Sequence, residues 1–181
     1  HGLERQSHLV DYGFKIHLED VWNECIRNPW QHADGGNPVM PHAGAIDSGW
    51  DTKQTYDFCN SHPGLIAIKG SSPDMGGLPY KLGAVERGDS SGQQLLLINT
   101  DFWETDLQAR LDERMPGEAD SLSIYDGAHG DYELLEQLCN GTLTDKIDNR
   151  GNAKLLWIKK DENIANDLRD VIRYGLAVAH A

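Results

Sequence analysis

Two short apolar runs decide the fold: Ala43-Gly44-Ala45-Ile46-Asp47-Ser48-Gly49 at residues 43–49 and Leu65-Ile66-Ala67-Ile68-Lys69-Gly70 at residues 65–70. Each run stops at polar residues and glycine, which is typical of a buried strand. A helical pattern from about Thr52 to Asn60 lies between them. Further strands are predicted at 7–14, 95–99, 122–125 and 154–159, and further helices at 21–26, 101–114, 132–139 and about 163–179. This alternation predicts an α/β fold with a sheet covered by helices.

The composition fits one globular domain over residues 1–181, with 39% hydrophobic and 25% charged residues. The formal net charge of −13 argues against a free-standing nucleic-acid binder, because phosphate recognition relies on Lys and Arg. It permits a protein that concentrates carboxylates around divalent cations. Three cysteines without a CxxC pair disfavour a disulfide framework or a structural zinc site. Without a bilayer-length apolar run or a signal-peptide pattern, we expect a soluble intracellular domain.

Asp47 and Lys69 each follow a predicted buried strand. A carboxylate at a sheet edge can present a hard cation to a substrate, although the same residue can simply stabilise a turn or cap a helix. A lysine at that edge can contact a phosphate, although a solvated strand-end lysine is commoner. These alternatives remain open at this point.

Asp167 and Asp170 lie three residues apart on the last predicted helix. They flank an apolar stripe that contains Ile164, Leu168, Val171, Ile172, Leu176 and Ala179. The alternative to a functional pair is a solvated charged face, with Arg169 and Arg173 as partners.

Other chemistry finds little support in the sequence. The eight histidines show no HExxH motif, and the glycine-rich loop at 70–77 lacks the Lys-Ser/Thr ending of a P-loop. We interpret the five tryptophans as core or edge packing, and Asn140-Gly141-Thr142 as a turn.

Six segments in chain order carry a resemblance to a known family. They are residues 7–13, 45–49 with Thr52 and 56–59, 66–71, 97–101 with Leu107 and Leu111, 132–138, and 166–170 with 174–179. Together they resemble the nuclease domain of the large terminase subunit of tailed bacteriophages, in its lambda-type branch. The turn Asp47-Ser48-Gly49 after a strand and the segment Ile68-Lys69-Gly70 are similar to motifs of that domain.

The resemblance implies an RNase H-like mixed sheet flanked by helices and a nuclease that cuts concatemeric viral DNA with two Mg²⁺ or Mn²⁺ ions. Asp47 would be the second catalytic carboxylate and Asp170 the helix-borne one. Asp167 stands where the family usually has glutamate, and all three acids would bind metal. Lys69 would be the active-site lysine.

The resemblance also implies partners: double-stranded viral DNA, the terminase ATPase half, the small terminase subunit and the portal, in the host cytoplasm and without a membrane. The family's first catalytic aspartate is expected on a strand before Gly2, so we expect a domain truncated at its N-terminus relative to the family.

Two other interpretations stay open. One is a non-catalytic RNase H-like scaffold or interaction module of a packaging complex. The other is an unrelated metal-dependent phosphohydrolase, which would act on small phosphoesters and not on plasmid DNA.

Overall fold

A computed structural model of the chain describes residues 6–31, 35–71, 75–85, 88, 92–112, 115, 118–125, 130–147 and 153–181. In chain order the elements are β1 (Ser7–Leu9), α1 (Leu18–Asp20) with a π-helical segment (Val21–Ile26), β2 (Gly44–Asp47), α2 (Thr52–Ser61), β3 (Leu65–Ser71), β4 (Tyr80–Ala84), β5 (Gln94–Asn99), α3 (Thr100–Asp112), β6 (Leu122–Ile124), α4 (Tyr132–Leu138), β7 (Gly141–Ile147), β8 (Ala153–Lys159) and α5 (Asp167–His180).

These elements belong to two compact units. The first, here called the sheet unit, comprises Gly13–Ile98 and Val178–Ala181. The second, here called the helical unit, comprises Asn99–Ala177 and the N-terminal residues through Tyr12. A single domain over residues 1–181 stays a prediction.

The sheet unit is built on a four-stranded sheet with the order β2-β3-β5-β4. β2 and β3 run parallel, with Gly44 opposite Leu65 and Asp47 opposite Ile68, whereas β4 and β5 run antiparallel. The predicted α/β class with a mixed sheet is therefore confirmed, and it is consistent with an RNase H-like fold.

Helix α2 connects the two parallel strands and packs against both of them. It begins where the side chain of Asp51 accepts a hydrogen bond from the backbone N–H of Gln54, which satisfies one of the unpaired donors of the first turn. Gly64 precedes β3 with a φ of +92°, a left-handed conformation that glycine adopts without a steric penalty.

The core of the sheet unit lies along β3 and β5. Ala67, Ile68 and Ile98 are completely buried and Leu96 nearly so, and Tyr56 of α2 is buried as well. The continuous apolar run of β3 is what a strand covered on both faces requires.

The helical unit contains α3, α4, most of α5, a parallel β1–β6 pair and an antiparallel β7–β8 pair. Its buried apolar residues come from all three helices: Trp103 and Leu107 of α3, Leu134 and Leu138 of α4, and Leu168, Leu176 and Ala177 of α5. The indole N–H of Trp157 donates to Thr105 Oγ1 at 3.0 Å, which ties β8 to α3.

Some predicted boundaries are wrong. Gly141 begins a strand and not a turn, β4 was not predicted, and α5 begins at Asp167 and not near Asn163. Residues 161–164 form a turn instead, because the side chain of Asn140 donates to the carbonyls of Asp161 and Ile164 and accepts from the N–H of Asp161. This buried amide fixes the turn and delays the helix.

The described helices include none that is long and apolar enough to span a membrane. All three cysteines are free, and burial raises the pKa of the Cys59 thiol to about 11. Residues 72–74 of the glycine-rich loop and the predicted helix end at Arg114 lie outside the described residues.

Candidate functional site

Asp47 ends β2 with its side chain exposed. Its Oδ1 accepts a hydrogen bond from the backbone N–H of Gly49 at 2.9 Å, so the turn interpretation of this residue is confirmed. The helix cap is a different residue, Asp51. This hydrogen bond fixes the direction of the Asp47 carboxylate relative to the end of β2.

The backbone that follows Asp47 is held firmly against β3. Ser48 is completely buried, and both its N–H and its hydroxyl donate to the carbonyl of Ile68, at 2.9 and 3.1 Å. The Thr52 hydroxyl donates to the carbonyl of Ser48 at 2.8 Å. These hydrogen bonds join the end of β2, the start of α2 and the middle of β3. The backbone next to Asp47 is therefore held in a fixed position.

Lys69 is exposed and lies inside β3, which continues to Ser71. The prediction that the strand ends at Lys69-Gly70 is therefore wrong. Asp47 is in register with Ile68, and Lys69 is one residue further. Because side chains alternate between the faces of a sheet, this register puts Asp47 and Lys69 on opposite faces.

Asp170 is half-buried in the first turn of α5, and both of its carboxylate oxygens have protein partners. Asn166 Nδ2 donates to Oδ2 at 3.0 Å, and Arg173 lies 3.0 Å from Oδ1. Burial raises the pKa of Asp170; the neighbouring Arg173 opposes this shift, and the charge of Glu104 adds to it. Asp167 is exposed on the same turn.

A buried ionic cluster supports this end of α5. Glu104 of α3 binds Arg169 at 2.5 Å through Oε1 and Arg173 at 3.1 Å through Oε2. Arg169 also donates to the Leu138 carbonyl and, at 2.9 Å, to Gln108 Oε1. The three charged side chains are at least nine-tenths buried, and a buried charge is tolerated only when it is paired in this way.

The cluster corrects two interpretations of α5. Arg169 and Arg173 are buried rather than part of a solvated face, and Val171 and Ala179 of the predicted apolar stripe are exposed. The buried face runs through Leu168, Ile172 and Leu176 together with the two arginines. The sequence signal for this was weak, because Glu104 lies 65 residues before Arg169.

The first turn of α5 is positioned from α4 as well. The N–H of Leu168 donates to the side chain of the buried Gln137 at 2.9 Å, which satisfies a donor that the helix itself leaves unpaired. Glu104, Arg173 and Gln137 together hold Asp167 and Asp170 at a defined place in the helical unit.

The predicted site residues thus lie in both units of the chain. Asp47 and Lys69 lie on adjacent strands of the sheet unit, and Asp167 and Asp170 share one helical turn of the helical unit. Among the described residues, no group of three or more His, Cys, Asp or Glu side chains is arranged to hold a metal ion.

Comparison with known proteins identifies the family. A family model described as the endonuclease domain of the terminase large subunit gpA matches residues 8–181. No curated protein and no solved structure matches the chain at a significant level. Because the match extends over nearly the whole sequence, the chain belongs to the terminase large subunit gpA endonuclease family.

Proposed function

We propose that this chain is the metal-dependent DNA endonuclease domain of a phage terminase large subunit and that it cuts concatemeric viral DNA during genome packaging. The observation that carries the proposal is the family match over residues 8–181. The proposed setting is the host cytoplasm. The proposed reaction is two-metal phosphodiester hydrolysis on an RNase H-like fold.

The proposed metal ligands are Asp47, Asp167 and Asp170, and the ions are Mg²⁺ or Mn²⁺. The donor chemistry fits, since these ions prefer carboxylate oxygens. Asp47 supports the proposal because it is an exposed carboxylate on a hydrogen-bonded turn. Asp167 is exposed too, and its short side chain suits contact through a water molecule.

Divalent cations, when bound, activate a water molecule and stabilise the charge on the leaving oxygen. The protein side chains would hold the ions and position the DNA. Asp47 and Asp170 would fix the ions relative to the scissile phosphate, with Arg173 orienting the Asp170 carboxylate through its 3.0 Å contact. Lys69 would contact the DNA phosphate as a point charge. The strand register puts Lys69 on the opposite face from Asp47, and Lys69→Met measures its contribution to nicking.

The proposed partners follow from the family and from the charge. With a net charge of −13 the chain should bind DNA weakly by itself, because few phosphates can be neutralised. The ATPase half, the small terminase subunit and the portal would hold the double-stranded DNA in the packaging complex, and this domain would make the cut.

Plasmid nicking tests the proposal. The chain, and the full product of its parent gene, are incubated with supercoiled plasmid and Mn²⁺. We expect nicking that Asp47→Asn and Asp170→Asn each reduce by at least about 100-fold, since a lost metal ligand costs several kcal/mol of transition-state stabilisation. Asp57→Asn, which changes an exposed acid of α2 paired with Lys53, is the matched control and should nick normally.

Two results would contradict the proposal. Activity on a small phosphoester without plasmid nicking would indicate an unrelated phosphohydrolase. Full nicking by both aspartate variants would exclude the assigned acids.

The second candidate function is a non-catalytic scaffold in the packaging complex. It is favoured by one observation: both oxygens of Asp170 already have protein partners, since Oδ2 accepts a hydrogen bond from Asn166 and Oδ1 forms an ion pair with Arg173. A chain that never nicks DNA with Mg²⁺ or Mn²⁺, alone or in the full gene product, yet retains binding to its packaging partners would support the scaffold.

A further inference from the structure

Trp50 does not pack as a tryptophan normally does. Its side chain is 98% exposed, although the sequence led us to expect core or edge packing for all five tryptophans. Trp103, by contrast, is 2% exposed, and the indole N–H of Trp30 donates to the carbonyl of Cys25. Trp50 has no ring contact and no hydrogen bond to any other described residue. An indole left in water in this way has its whole apolar surface available to a ligand.

The backbone that carries Trp50 is fixed on both sides. Before it, Gly49 is bonded to the Asp47 carboxylate and Ser48 to β3. After it, Asp51 caps α2 by accepting from the N–H of Gln54 at 3.0 Å. Trp50 is therefore a free ring on a rigid turn and not part of a mobile loop. A ring held in this way loses little conformational entropy when it binds a flat partner.

The position of Trp50 beside a proposed metal ligand indicates what that partner is. Trp50 is three residues from Asp47, so their Cα atoms are at most about 11 Å apart. If cations held by Asp47 bind the scissile phosphate as proposed above, a nucleotide next to that phosphate would lie within reach of the indole. The net charge of −13 opposes binding to phosphates, so a base stacked on the indole would supply binding energy that this chain's Lys and Arg residues do not.

We propose that Trp50 stacks on a DNA base that is unstacked beside the scissile phosphate. The proposal rests on the proposed nuclease function and adds a substrate-positioning residue to it. An unpaired base exposes its ring face without the cost of opening a duplex. Trp50 should therefore favour single-stranded or gapped DNA over an intact duplex.

Fluorescence titration at low salt, with EDTA present, tests the binding separately from the cleavage. The probes are a single-stranded oligonucleotide, a duplex with a short gap and the intact duplex. The wild-type chain should show quenching that Trp50→Phe lacks. Trp50→Phe should nevertheless keep its affinity in a competition assay, because the phenyl ring can still stack.

Trp50→Leu is the sharper variant, since it keeps an apolar side chain and removes the aromatic face. We expect its affinity for single-stranded and gapped DNA to fall by about 5- to 100-fold, the range that corresponds to loss of one stacked base. Ile16→Ala, at a residue that is 91% exposed and carries no ring, is the matched control and should bind as the wild type does.

The outcomes separate this inference from the nuclease proposal. If the chain nicks plasmid while Trp50→Leu binds and nicks like the wild type, the stacking inference is overturned and the nuclease stands. If nicking never occurs but quenching and the Trp50→Leu defect do, the stacking stands without the nuclease. If Trp50→Leu changes the sedimentation of the chain and not its DNA affinity, the ring serves a protein interface and the inference fails.

Discussion

The ionisation of Asp170 is opposed by its own surroundings. Burial, helped by the charges of Glu104 and Asp167, raises its pKa above the ordinary value of 3.8, although Arg173 and Asn166 act in the opposite direction. The folded chain therefore keeps a proton on Asp170 at pH values where the unfolded chain has lost it. The stability contributed by this proton is present below the ordinary pKa and is lost as the pH rises through the raised folded-state pKa.

Asp170→Asn should remove the loss of folding stability that the wild type suffers when Asp170 deprotonates. We expect the melting temperature of the variant, relative to the wild type and in EDTA, to increase as the pH rises from the ordinary carboxyl pKa through the raised pKa of Asp170, and to level off above it. Asn166→Ala removes a hydrogen bond that lowers the pKa, so it should shift the wild-type loss to still higher pH. A difference that stays constant or shrinks with rising pH would contradict the assigned environment of Asp170.

At the scale of elements, α5 and the start of β7 approach each other closely at one glycine. A Cβ added at Gly141 would lie 2.6 Å from one guanidinium nitrogen of Arg169 and 2.7 Å from its central carbon. That guanidinium cannot swing away, because it is bonded to Glu104, to Gln108 and to the Leu138 carbonyl. Glycine at 141 is thus a condition for the buried cluster.

We expect Gly141→Ala to lower the free energy of unfolding by about 1–3 kcal/mol, the usual cost of forcing extra volume into a packed site. Urea denaturation measures it. Gly175→Ala is the matched control in α5, where a Cβ would meet nothing within 4 Å. That variant should gain roughly 0.5–1 kcal/mol, since alanine is the better helix former. Equal stability of the two variants would show that Arg169 can move after all.

The elements that could be predicted from the sequence are those bounded by turn or helix-capping residues. Gly49 and Asp51 mark the start of α2, and Pro63-Gly64 mark its end, so β2, α2 and β3 could be predicted. The strands β4 and β7 were missed because each contains a glycine and gains its stability from a partner strand, β5 or β8. No local pattern reports such pairing.

In the candidate site, too, features with a local sequence signal could be predicted and features that depend on distant partners could not. Asp47, Asp167 and Asp170 could be named from short motifs at the ends of elements. The burial of Arg169 and Arg173 could not, because a charge run on a helix is usually solvated and their partner Glu104 is on α3. The exposure of Trp50 could not be foreseen either, since most tryptophans are largely buried.

At the scale of the whole molecule, the acidity of the chain complicates any test for bound metal. A net charge of −13 means that divalent cations stabilise the fold to some extent by screening alone. Binding at a specific site further increases the free energy of unfolding. The increase grows with the ion concentration and is about 2.7 kcal/mol when the ion is at 100 times its dissociation constant. The two contributions differ in one respect: only the specific one disappears when a single ligand is changed.

We therefore expect Mg²⁺ or Mn²⁺ to raise the melting temperature by several degrees over KCl of equal ionic strength. Asp47→Asn combined with Asp170→Asn should abolish this excess, whereas Asp57→Asn, which removes the same kind of charge from α2, should leave it intact. Lys69→Met should keep the excess, because a phosphate contact has no part in binding the ion. An excess that survives the double aspartate substitution would be general screening, and the proposed acids would then hold no metal.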